Sequence, residues 1–278
     1  MKFLPDKFIK IVCFFLVTLF LSGCAANRSL LKHPEILEQI QDAVELASII
    51  PFKELPRHEK LTYNVKWLGI PVGTLTSSIK GTEKIGSKEV YVLEAIFKTN
   101  GFCSKIFPVN DRYVSYVEKE GLRTLRHEVY RREGKYKKDA ITVFDHDKGK
   151  AYFRNLLDKS EKVFDIPEGV HDFLSAYYFF RSLPLKVGDK IRYTVSTNEK
   201  NYQVVVMVKS HAALTLGALG KKKALLIQPY VMLQGKELKE GAARGYYDTQ
   251  GSRPLLGAII TAPLFTKITA FLSKEDRG

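Results

Sequence analysis

The side chains that could do chemistry are few, and their spacing limits what they can be. Six histidines, His33, His58, His127, His146, His171 and His211, are the available imidazoles. None stands in a His-x-x-x-His pair or beside the glutamate of a zinc-hydrolase helix, so the sequence indicates no metal site and no cofactor. The pair His171-Asp172 could orient a ring for base chemistry, but an aspartate just ahead of an apolar helical run is more simply its N-cap. Ser175, in Phe173-Leu174-Ser175-Ala176-Tyr177, lacks the glycines of a nucleophile elbow and reads as a small packing residue. Asp145, Asp147 and Gly149 begin a calcium-loop spacing without its distal bidentate glutamate, which leaves a hairpin turn. Gly217 to Lys221 has the wrong glycine spacing for a phosphate loop. No catalytic set emerges, and the chain is not expected to be an enzyme.

One cysteine does have a defined reaction written around it. Leu21-Ser22-Gly23-Cys24 resembles the bacterial lipoprotein-processing box, in which the chain is cut before the cysteine and the thiol is lipidated. Lys2, Lys7 and Lys10 precede it, then an uncharged apolar run from Ile11 to Leu21, the length of a signal-peptide core and too short for a span of roughly 20 residues. The expected organisation is a signal peptide over 1–23, a lipidated tether with an amphipathic helix over 24–57, and a β domain over 58–278. An uncleaved anchor or an ordinary cleaved signal are the competing readings. Each buried lipid methylene contributes about 0.8 kcal/mol, so two or three chains hold a protein stably on a membrane. Ala25, where aspartate would mark inner-membrane retention in enteric bacteria, matches an outer-membrane address in the cell envelope, facing the periplasm. Cys13 leaves with the leader, so Cys103 has no intrachain disulfide partner. A buried inert thiol is expected there, with a reactive thiol or an intermolecular bridge as the alternative.

Charge bounds the partners. The formal charge is +14, and removing three lysines and Asp6 with the leader takes it to +12. Arg131-Arg132, Lys137-Lys138 and Lys221-Lys222-Lys223 read as solvated loops and hairpin ends, or as attraction to anionic head groups and lipopolysaccharide phosphates. Export makes nucleic acid an unsuitable partner.

The elements that must position these residues are mostly strands. Residues 30–50 have a helical stripe of Leu37, Ile40, Val44 and Ala47, ended by Pro51. From Leu61 the period becomes two, with Leu61, Tyr63, Val65 and Trp67 on one face. Further strands are expected near 74–80, 90–97, 113–117, 122–130, 140–144, 151–154, 191–197, 202–208, 224–229, 243–248 and 258–271. Residues 172–181 break the series. Phe173, Ala176, Tyr177 and Phe180 have helical spacing, and Leu174, Tyr178 and Phe179 make the other face apolar too. Such a helix must be buried. The expected fold is mostly β: a large curved antiparallel sheet, or open barrel-like sheet, around a buried helix. Phe102, Phe107, Tyr113, Phe173, Tyr177, Phe180, Tyr246 and Tyr247 pack the core or line a cavity between sheet and helix. Arg112, Arg181 and Arg253 are candidates for a basic rim meeting a phosphate, or for pairing with acids such as Asp111 and Asp248.

Three separated stretches carry a family resemblance. His58-Glu59-Lys60-Leu61-Thr62-Tyr63, running on to Gly73, is similar to the Gly-Glu-x-Leu-x-Tyr opening of the bacterial DUF3108 family, with His58 in place of the usual glycine. Asp172 to Asp189 and Tyr247 to Leu255 resemble later parts of that family. The resemblance implies export and a mostly-β fold, and it brings no catalytic residues. A sheet curled on a helix is also similar to lipid-binding envelope proteins, an analogy of fold alone. The expectation is therefore an envelope lipoprotein held to the membrane through Cys24. It would bind a lipid or glycolipid along Phe173, Tyr177 and Phe180, or serve as a structural partner of an envelope protein complex.

Overall fold

In β2, Glu59–Trp67, the buried positions are Glu59, Leu61, Tyr63 and Val65, while the intervening residues face outward. That period repeats through a computed structural model that describes residues 43–45, 54–238, 242–262 and 266–277. The expected signal peptide, Cys24 and most of the 30–50 helix lie outside the described residues.

Fifteen further strands join β2. They are β1 (Val44–Glu45), β3 (Ile70–Ile85), β4 (Lys88–Thr99), β5 (Asn110–Glu118), β6 (Thr124–Glu133), β7 (Tyr136–Asp145), β8 (Lys150–Asn155) and β9 (Glu161–Asp165), then β10 (Lys190–Thr197), β11 (Lys200–Thr215), β12 (Lys221–Leu233), β13 (Lys236–Glu237), β14 (Ala242–Asp248), β15 (Leu255–Ala262) and β16 (Thr266–Arg277). Two helices interrupt them, α1 (Gly101–Ile106) and α2 (Phe173–Ser182). The sheet runs β1-β10-β11-β12-β14-β15-β16-β2-β3-β4-β5-β6-β7-β8-β9, with β13 beside β12. Every pairing is antiparallel except β1 with β10. Bulges bend the long strands. In β3 the register shifts between Ile79 and Gly81, where Gly81 takes φ +126°, a conformation only glycine adopts freely.

The curled sheet encloses α2. Asp172 caps it, its carboxylate accepting from the backbone N–H of Leu174 at 2.7 Å and of Ser175 at 3.1 Å. All ten helical residues except Phe179 are buried, and α2 reaches the wall on every side. Tyr177 meets Tyr63 of β2, hydroxyl to hydroxyl, at 3.3 Å, and Tyr178 meets Ser77 of β3 at 2.9 Å. Phe173 sits edge-on to Tyr113 of β5 and His127 of β6, and Phe180 edge-on to Tyr247 of β14. Each such side chain contributes roughly 1.5–3 kcal/mol by leaving water.

The sheet does not close. Its two ends meet through loops and side chains instead of a ladder. The backbone of His171 bridges β10, donating to Thr194 O at 3.1 Å and accepting from Ser196 N at 2.7 Å. Asn201 Nδ2 donates to Asp165 O of β9 at 2.7 Å.

Several boundaries depart from the sequence reading. Residues 161–165 form a strand that charged ends concealed, and residues 101–106 form a short helix capped by Asn100. Val44 and Glu45 pair with β10 as a strand, not as part of the expected helix; a β-branched residue meets a free edge there, and Ala43 covers the outer face of Val205 and Met207. The basic pairs and triplet lie at strand ends beside turns, the hairpin-end half of the sequence reading.

Candidate functional site

The three stretches that carry the family resemblance converge on one buried polar cluster. Arg181, on the last turn of α2, forms a bidentate pair with Glu59 of β2 at 2.7 and 2.8 Å, both side chains fully out of solvent. Ser252 completes it. Its carbonyl accepts from Arg181 Nε at 2.9 Å, while its hydroxyl contacts Arg181 Nη2 at 2.8 Å and donates to Glu59 at 3.0 Å. The guanidinium lies over the rings of Tyr177 and Tyr178. The cluster ties the start of β2, the end of α2 and the β14–β15 loop together. A glutamate in the inward phase of an otherwise apolar strand was the signal for it in the sequence.

A second network holds the other end of α2. Asp172 accepts from the hydroxyls of Ser115 at 2.9 Å and Thr124 at 2.7 Å, beside its two backbone donors. Ser115 Oγ also lies 3.0 Å from His127 Nδ1. Having given its one proton to Asp172, that hydroxyl accepts from Nδ1–H. The trio of serine, histidine and aspartate is not a catalytic triad. In a triad the acid holds Nδ1 and the nucleophile faces Nε2, whereas here both Ser115 and Asp172 lie on the Nδ1 side. Ser115 is fully buried. Burial holds the His127 ring below the usual imidazole range despite the opposing charges of Asp172 and Glu128. His171 packs on Phe179, its Nδ1 donating to Leu122 O at 3.1 Å, and burial pushes it down to about 4.

Between this network and the seam lies a pocket of about 40 Å³ lined by Tyr113, His127, Lys138, Phe173 and Glu199, among others. It has room for roughly three waters, far below the roughly 300–1,000 Å³ that encloses a small-molecule ligand. His127 Nε2 is buried without a hydrogen-bond partner. Glu199, at φ +55° in a two-residue turn that favours glycine there, places its carboxylate 3.7 Å from Lys138 Nζ across the seam. Burial lowers the Lys138 ammonium from its usual range, against Glu199.

The expected ligand set does not assemble. Phe173, Tyr177 and Phe180 share the interior as packing residues. Arg181 and Arg253 both reach the β14–β15 loop region, where the Arg253 guanidinium donates to Leu183 O. Arg112 is on the outer face of β5, paired with Glu94 at 2.8 Å, because Asp111 and Tyr113 take the inward phase. Among the described residues these three arginines form no common rim around α2. Phe102 is 72% exposed on α1, outside the core that packs around α2. Cys103 is half-buried, its Sγ 3.9 Å from Pro71 O. Asp145 closes its turn on the backbone N–H and ammonium of Lys148.

One outward surface went unnoticed in the sequence. Val143, Tyr152 and Val163 are cross-strand neighbours on β7, β8 and β9, 45%, 40% and 57% exposed. The row ends on β9, which among the described residues has a strand on one side only.

The profile of the family described as DUF3108, protein of unknown function, matches residues 62–253. The chain belongs to the DUF3108 family. No curated protein matches it. Among solved structures it is similar to a β-barrel-like DUF1849 protein from Brucella abortus, at 11% identity and a TM-score of 0.54 over 81% of this chain and 100% of that one. That likeness shows the fold of this DUF3108 protein. A candidate exported protein with a YmcC-like fold from Bacteroides fragilis (11% identity, TM-score 0.31, 82% and 99% covered) and a candidate lipoprotein from Parabacteroides distasonis (7%, 0.35, 81% and 97%) also match.

Proposed function

We propose that this DUF3108 protein is an exported envelope lipoprotein that acts through its outer surface as an assembly partner of an envelope protein, not as an enzyme and not as a carrier of lipid inside the barrel. The observation that carries the reading is α2. Its side chains touch β2, β3, β5, β6, β10 and β14, so the space where a curled sheet would hold an acyl chain is taken by the protein's own residues. The anchor rests on the processing box at Leu21 to Cys24, and Ala25 favours the outer membrane with the domain facing the periplasm. The row Val143, Tyr152 and Val163, running to the one-sided strand β9, supports a protein contact by sheet addition or apolar docking.

Photo-crosslinking in cells tests it. A benzoyl-phenylalanine at position 163 should give one dominant adduct with an envelope protein, and the same probe at Lys60, on the outer face of β2, should not. Equal labelling at both positions, or none at 163, would count against the assembly reading. Tyr152→Glu should abolish the adduct without lowering the melting temperature.

A further inference from the structure

One end of the barrel carries a surface that the proposed docking row does not use. The β2–β3 hairpin turns through Leu68 and Gly69, with φ +49° and +87°. Turns of this hand favour asparagine or glycine at the first position, and a leucine there is in an unfavourable conformation. Packing does not compensate it, because Leu68 is 54% exposed. Ile70, opening β3, is 56% exposed. Beside them α1 is held to the same hairpin by Asn100, whose Nδ2 donates to Pro71 O at 2.6 Å and whose backbone N–H donates to Val72 O at 3.0 Å. Phe102 and Ile106 lie four residues apart on α1, hence on one face, and are 72% and 75% exposed. Soluble surfaces scatter such side chains singly, and four at one tip mark a contact surface.

The surrounding charge has one sign. Lys66, Lys98, Lys105 and Lys267 are exposed. Lys66 pairs opposite Pro71, Lys98 opposite Thr74, and the backbone carbonyl of Lys267 accepts from Leu68 N at 2.8 Å, so these three flank the same hairpin, while Lys105 is on the last turn of α1. Residues 65–73, 98–109 and 266–268 contain no aspartate or glutamate.

We propose that this tip seats the protein on an anionic phospholipid bilayer. Leu68, Ile70, Phe102 and Ile106 enter the boundary between head groups and acyl chains, and the four lysines meet lipid phosphates. The inference rests on the envelope placement proposed above but not on the docking row. It is compatible with the anchor, since Cys24 and Ala43 are nineteen residues apart, a reach of up to about 65 Å.

Trp67, the chain's single tryptophan, adjoins Leu68 and reports on the tip. The full protein, purified from its membranes, would be reconstituted on vesicles of phosphatidylglycerol with phosphatidylcholine, and on phosphatidylcholine alone, with brominated acyl chains in both. Trp67 emission should be quenched on the anionic vesicles and much less on the neutral ones. The double variant Phe102→Ser with Ile106→Ser, two exposed positions whose change leaves the core intact, should lose most of that quenching. Sedimentation of the same samples reads the lipid anchor separately. Protein that sediments with Trp67 unquenched overturns the tip proposal while the anchor stands. Quenching that is equal on both vesicle types and indifferent to the double variant also overturns it, as does an emission change that appears only when other envelope proteins are present.

Discussion

Glu59→Gln removes the counter-charge of Arg181 while keeping the shape of the side chain. Both partners have fully buried side chains, and the guanidinium stays charged at any attainable pH. The variant therefore leaves an uncompensated cation beneath Tyr177 and Tyr178, which costs about 3–5 kcal/mol. In a domain of this size that corresponds to a fall in melting temperature of roughly 6–20 °C. Arg181→Met leaves Glu59 behind instead, and Arg277, with Nε 4.0 Å away and 42% exposed, is placed to shield it, so the loss should be smaller. The double variant should be less destabilised than the two singles together, by on the order of 2 kcal/mol. Urea titration followed by Trp67 emission and far-ultraviolet circular dichroism would give all three values. A loss below about 1 kcal/mol for Glu59→Gln, or strict additivity in the cycle, would refute the view that this pair is a mutually dependent buried tie.

Three further outcomes are expected. Stability should fall as pH drops below the ordinary histidine value of 6.5, because the unfolded chain takes up a proton that folded His171 refuses until about 4; the loss is on the order of 3 kcal/mol, and His171→Asn should flatten the slope of melting temperature between pH 7 and pH 4.5. Asp172→Ala removes the cap of α2 and the carboxylate that accepts from the Ser115 and Thr124 hydroxyls, costing roughly 3 kcal/mol in thermal or urea unfolding, with no loss of far-ultraviolet strand signal below the transition. Gly73→Ala would drive a methyl group into the Lys98 carbonyl oxygen of the neighbouring strand, and a loss of roughly 1–3 kcal/mol should follow in the same assay.

Much of the fold was legible because burial enforces periodicity. The alternation of Leu61, Tyr63 and Val65, and the all-round apolar run at Phe173 to Phe180, could serve only a one-sided strand and an enclosed helix. The strand β9 was hidden because three of its five residues were charged and its core contact was slight. The helix α1 spans only six residues, too few for a period to show. The candidate arginines were read from residue type alone, and for Arg112 strand phase decided it: one step along β5 separates inward Tyr113 from outward Arg112. Glu59 was the reverse case, a charged residue in a buried phase whose partner was 122 positions away. The exposed rows could not be read at all, since Val143, Tyr152 and Val163 become neighbours only through register.

The central claim, a curled sheet filled by its own helix, is tested most directly by native mass spectrometry with lipid extraction on the protein purified from bacterial membranes. The mass should equal the polypeptide from Cys24 onward plus covalent acyl groups, with no lipid released by mild activation. A stoichiometric noncovalent lipid, surviving as a defined mass increment and lost on Phe180→Trp, would contradict it and return the interior to the role of a carrier.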